Sequence, residues 1–113
     1  MRWLFICLAA GLAFAYSSPA LSSSDKLDRY DPLIFAAVQK WWPRGTDHVW
    51  WKAQLYQESR LDPTAESPAG AQGLAQIMPG TWDRLQKRLK LSRATPFEAK
   101  PAIMAGAYYM ADM

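Results

Sequence analysis

Glu58 is the residue best placed to do acid–base chemistry. It stands three residues after Leu55 and seven after Trp51, so on a helix it shares their apolar face. Asp62-Pro63 follows closely, and a residue that precedes proline avoids the helical region. Glu58 is therefore expected in the last turn of its helix, where the macrodipole is negative. Partial burial and the negative helix end both disfavour a charged carboxylate, so the group is expected to keep its proton near neutral pH. A carboxyl that stays protonated there can act as a general acid on a glycosidic oxygen. Taken alone, the residue is better read as a solvated helix-end glutamate. A metal is not expected: His48 and Cys7 are the single histidine and the single cysteine, too few for a site. No cofactor is expected either.

The elements that must carry Glu58 read as helices. Asp31-Pro32 opens the first, with Asp31 as N-cap and Pro32 at the first helical position. Leu33, Ile34, Ala37, Val38 and Trp41 form its apolar stripe, and Pro43 with Gly45 ends it. The second starts at Thr46 or Asp47 and carries Trp50, Trp51, Leu55 and Tyr56. After Glu58 come Pro63, Ser67, Pro68, Gly70 and Gly73, with no convincing strand alternation, so a tight structured loop is expected. Pro79 restarts a helix with Trp82, Leu85 and Leu89 inward and Arg84, Lys87, Arg88 and Lys90 outward. Pro101 lies in the first turn of a last helix that bears Ile103, Gly106, Ala107 and Met110. The fold class expected is all-α, with at most a short irregular hairpin between Asp62 and Gln76.

The loop itself narrows the function. The run Glu58-Ser59-Arg60-Leu61-Asp62-Pro63, then Ser67-Pro68-Ala69-Gly70-Ala71-Gln72-Gly73-Leu74-Ala75-Gln76-Ile77-Met78-Pro79-Gly80-Thr81-Trp82, closely resembles the core of soluble lytic murein transglycosylases. That family shows a Glu-Ser pair followed by Ser-Pro-x-Gly-Ala-x-Gly-Leu-Met-Gln-Ile-Met-Pro-x-Thr at the same spacing. Ala105-Gly106-Ala107-Tyr108-Tyr109-Met110 is similar to the family's next helix, and the resemblance spans residues 47–113. It implies a mainly helical lysozyme-like lobe and a peptidoglycan substrate. Glu58 would be the sole acid/base, and Ser67 would bond the active-site carboxyl or the substrate. Gln76, Met78 and Tyr109 would line the sugar groove. Ser67 can also be read as a turn cap before Pro68, Met78 as core, and Ser59 as a structural tie at the helix end. Gln76 sits among apolar residues and needs hydrogen-bond partners if buried. Ala75 departs from the family's methionine. The family's Ala-Tyr-Asn-Ala-Gly segment is absent, which reads as a domain with its C-terminal part missing.

The implied reaction is cleavage of the bond between N-acetylmuramic acid and N-acetylglucosamine, leaving a 1,6-anhydromuramoyl end. Ordinary glycosidases use two carboxylates about 5–9.5 Å apart. Asp62, before proline, reads as a turn residue, and Glu66 and Asp83 as exposed, so no second acid matches Glu58. Two other readings stand: a goose-type lysozyme-like hydrolase, and a non-catalytic peptidoglycan-binding or assembly protein.

Composition sets the compartment. Arg2, the uncharged apolar run from Trp3 to Tyr16, and the small residues at Ala13-Phe14-Ala15 and Ser18-Pro19-Ala20 read as a signal peptide over residues 1–20. The run is shorter than a membrane-spanning helix needs, so cleavage after Ala20 is expected rather than anchoring. Residues 21–30 read as an N-terminal tail and 31–113 as the domain. An exported protein of the periplasm or cell exterior follows, without cysteine once the leader is removed. The net charge of +3 is mild, and no Lys/Arg stripe with interleaved aromatics suggests nucleic acid.

Overall fold

The computed structural model describes residues 23–113, so the leader expected over residues 1–20 lies outside the described residues. Five helices occur among them: α1 (Ser23–Asp28), α2 (Asp31–Trp41), α3 (Val49–Ser59), α4 (Pro79–Arg88) and α5 (Ala99–Asp112). No strand occurs among the described residues, and the fold is the all-α one expected. None of these helices is long and apolar enough to cross a membrane.

Each apolar stripe finds the same core. Ile34, Ala37 and Val38 of α2 meet Trp51 and Leu55 of α3, Trp82 and Leu85 of α4, and Ala102, Ile103, Ala105, Ala107 and Met110 of α5. Leu33, Trp41 and Leu89 pack at its margin. The closest approach is made by α5. A Cβ built on Gly106 would lie 2.8 Å from the Ala75 Cβ and 2.8 Å from Cζ2 of Trp51. Only glycine lets the helix backbone sit against that ring. Two indoles then tie α5 down: Trp51 Nε1 donates to the Ile103 carbonyl at 3.3 Å, and Trp42 Nε1 to that of Ala107 at 2.9 Å.

Some local expectations give way to longer-range contacts. Asp31 is not a cap: Tyr30 occupies the N-cap position without a side-chain bond, and Asp31 belongs to the first turn of α2. Its carboxylate instead lies 2.8 Å from Lys52 Nζ, which also meets Asp28 at 2.9 Å. That ion-paired clasp pins the segment read as a tail, where α1 forms, onto α3. The start of α3 lies at Val49 rather than Thr46 or Asp47. Thr46 is used in a turn on the Pro43 carbonyl, and Asp47 Oδ1 accepts from the Val49 N–H at 3.0 Å. Trp50 and Tyr56 are exposed, at 67% and 39%, because each is about 100° around the helix from a buried neighbour, Trp51 or Leu55.

Candidate active site

The loop between α3 and α4 is held by backbone and side-chain bonds to itself. α3 ends with Arg60 and Leu61 both left-handed, at φ 56° and 58°, which turns the chain sharply away from the helix. Asp62 Oδ1 then accepts from the Thr64 N–H at 2.9 Å and its hydroxyl at 2.8 Å. Where at most a short irregular hairpin is expected between Asp62 and Gln76, two isolated antiparallel bridges occur, Glu66 with Gln72 and Gln72 with Ile77, one residue past that bound. Gly73, at φ 78°, donates its N–H to the Ala65 carbonyl at 2.8 Å. A Cβ on Gly73 would collide with the Pro96 carbonyl, so glycine is required on two counts.

Glu58 lies at the base of this loop, in the last turn of α3, and is 0% exposed. The face it shares with Leu55 and Trp51 explains the depth. Gln54, one turn earlier and half-buried, donates from Nε2 to Glu58 Oε1 at 3.1 Å. Removal from water disfavours the charged form of the carboxyl. The Gln54 amide works in the opposite direction. Sequence reading missed Gln54, although its i, i+4 spacing to Glu58 was the available signal.

Ser59 is the structural tie expected of it. It is 0% exposed, and its hydroxyl lies 2.8 Å from the Leu74 carbonyl and 3.2 Å from that of Leu55, fastening the loop to the helix beside Glu58. Ser67 is 5% exposed and its Oγ accepts from the Ala71 N–H at 3.0 Å, the turn-cap arrangement. Gln76, buried at φ 50°, donates from Nε2 to the carbonyls of Gly73 (2.8 Å) and Ala65 (3.1 Å). A left-handed glutamine is strained, and such strain is held in place by the bonds around it. Met78 is exposed and Tyr109 half-buried. Ala75 belongs to the core against Gly106, not to a groove.

Other acids are differently placed: Asp62 is half-buried in its turn, and Glu66 and Asp83 are exposed. No cluster among the described residues could hold a metal. A helix-end carboxyl is thus buried beside a self-bonded loop with left-handed backbone at three positions. The family model of the transglycosylase SLT domain matches residues 39–113, more than half of the chain. The chain belongs to that family, whose members are generally lytic transglycosylases acting on peptidoglycan. No curated protein and no solved structure matches the chain.

Proposed function

We propose that the chain cleaves the N-acetylmuramic acid–N-acetylglucosamine bond of peptidoglycan by lytic transglycosylation, with Glu58 as its sole acid/base. The observation that carries this reading is the fully buried Glu58 carboxyl in the last turn of α3, with no second carboxyl in a like setting among the described residues. Glu58 gives its proton to the bridging oxygen as the bond to C1 breaks, and the substrate's own acetamide supports C1. The resulting carboxylate takes the proton of the muramoyl 6-hydroxyl as that oxygen bonds to C1. A 1,6-anhydro end forms, no water is consumed, and Glu58 is protonated again. Substrate must first displace the side-chain cover of Glu58. Met78 and Tyr109 are assigned to sugar contacts, and Ser67 and Gln76 to the loop edge that the sugar meets.

Glu58→Gln keeps the shape of the side chain and loses the proton. Activity on purified murein is expected to fall about 10²–10⁴-fold, the range of general acid–base catalysis, with the helical circular dichroism unchanged. Mass spectrometry of a digest is expected to show anhydro-muropeptides; reducing ends would instead identify a lysozyme-like hydrolase. Full activity of Glu58→Gln overturns the assignment, and binding to murein without release of products supports the non-catalytic reading. Export to the periplasm or cell exterior belongs to the same proposal, supported by the leader pattern of residues 1–20. N-terminal sequencing of the exported protein is expected to begin after Ala20, and an intact Met1 in the cytoplasm refutes it.

A further inference from the structure

Four side chains from three helices meet at the rim of the core, away from the residues assigned above. Trp41, the last residue of α2, meets Tyr108 of α5 edge to face, with ring centroids 4.9 Å apart and planes at 72°. Lys40 Nζ lies 5.1 Å from the Trp41 ring centroid. At the other end, Arg88 of α4 donates from Nε to the Tyr108 hydroxyl at 2.6 Å. The result is a ledge of two half-buried rings with an exposed cation at each end. Tyr108 and Tyr109 are neighbours in α5 and point about 100° apart, so the ledge does not share the face assigned to Tyr109.

Two further observations point to a ligand. No carboxylate among the described residues pairs with Lys40 or Arg88, nor with Arg84 or Lys87 on the same helix as Arg88. The positive charge of this face is therefore not neutralised locally. The Trp41 indole N–H is buried and has no acceptor among the described residues, so the ring keeps an unused donor beside the two cations.

We propose that Lys40, Trp41, Tyr108 and Arg88 form a second glycan-binding site that takes a carboxylate-bearing wall saccharide. It rests on the reading of peptidoglycan as the polymer handled at Glu58. Aromatic faces accept the apolar faces of sugar rings, and the flanking ammonium and guanidinium take carboxylates through charge-assisted bonds. Murein offers both, as sugar rings that carry acidic stem peptides. A neutral saccharide leaves both cations without a counter-charge, so the arrangement favours the acidic one. Binding here holds the chain on its polymer while the Glu58 site is empty, through effective concentration.

The test is co-sedimentation of the full chain with purified murein in the Glu58→Gln background, which separates binding from cleavage. Lys40→Gln with Arg88→Gln changes two exposed side chains, so the fold is expected to survive, as a thermal melt will verify. Affinity for intact murein is expected to fall about tenfold, with a weaker dependence on salt, since two charges are lost. Chitin, whose sugar rings carry no carboxylate, is expected to bind the unaltered background as weakly as intact murein binds the double variant. Murein freed of phosphate polymers is expected to bind undiminished. Unchanged affinity of the double variant overturns the proposal. So does loss of binding on removal of phosphate polymers, or equal binding to DNA. Full activity of Glu58→Gln would defeat the catalytic assignment and leave the result for the ledge standing, so the two failures are distinguishable.

Discussion

Gly106→Ala adds one methyl group where α5 crosses Trp51, and it tests how the site is positioned. The new Cβ would lie 2.8 Å from both the Ala75 Cβ and Trp51 Cζ2, and 3.0 Å from Trp51 Cη2. Carbon pairs prefer about 3.5–4.0 Å, so the overlap occurs on two sides at once. Neither neighbour can step aside: Ala75 has no rotamer to change, and Trp51 is 2% exposed with its indole bonded to Ile103. Overpacking of this kind costs about 1–3 kcal/mol, and rigid atoms on both sides place it near the top of that range. Alanine recovers about 1 kcal/mol of helix propensity. The expected net loss is about 2 kcal/mol, which at about 4–8 °C per kcal/mol for a domain of this size lowers Tm by about 8–16 °C. Gly80→Ala is the matched control, because a Cβ there meets nothing within 4 Å. It should leave Tm unchanged or raise it slightly. Thermal melts followed by circular dichroism decide the matter. A Gly106→Ala protein as stable as the parent would refute the close approach, since propensity alone predicts a gain. The altered chain should also lose activity beyond its unfolded fraction, because Trp51 and Glu58 share one face of α3.

Ser59→Ala removes the hydroxyl that reaches Leu74 and leaves a buried carbonyl without that donor. Urea denaturation should show a loss of about 1–3 kcal/mol, and an unchanged midpoint would count against the tie. For Lys52, burial lowers the pKa, but hydrogen bonds and attraction from Asp31 and Asp28 outweigh it and raise it above the ordinary 10.5. A raised folded value means that this stabilisation is complete below the unfolded value and is lost as pH rises through the folded one. Melting curves of the parent and of Lys52→Met should therefore differ by a constant amount from near neutral pH to about pH 10 and converge above it. A difference that grows with alkalinity would refute the clasp.

Glu58 and Gly106 show what could and could not be read from the sequence. The depth of Glu58 followed from its i+3 and i+7 relation to Leu55 and Trp51, because helical phase is a local property. The hairpin and the tie at Ser59 followed from turn residues in register with a family pattern. Asp31 misled because a carboxylate before proline has the local form of a cap, whereas its partner Lys52 is 21 residues later. α1 was hidden for the same reason: its charged and serine-rich residues carry no apolar stripe, and Asp28 is fixed by that same lysine. Trp50 and Tyr56 were placed on the second helix without a face, and helical phase sets them outside. The donors of Gln76 go to Ala65 and Gly73, a choice set by the left-handed backbone at Gln76, which side-chain patterns do not encode.

These particulars explain how a small domain can hold a buried acid in place. Apolar packing fixes the depth of α3, but it has no direction and does not aim the Glu58 carboxyl. Direction comes from bonds with defined geometry: Gln54 on Oε1, Ser59 on Leu74, and Gln76 on the two carbonyls that close the loop. Three residues near the site, Arg60, Leu61 and Gln76, have left-handed backbone. Such conformations persist only where surrounding bonds over-determine them. The strain and the polar clasps therefore belong to one device, in which the bonds that hold an unfavourable backbone also fasten the loop to the helix end that carries the carboxyl. If so, removing Ser59 or Gln76 should disturb catalysis as well as stability, although neither need touch the scissile bond.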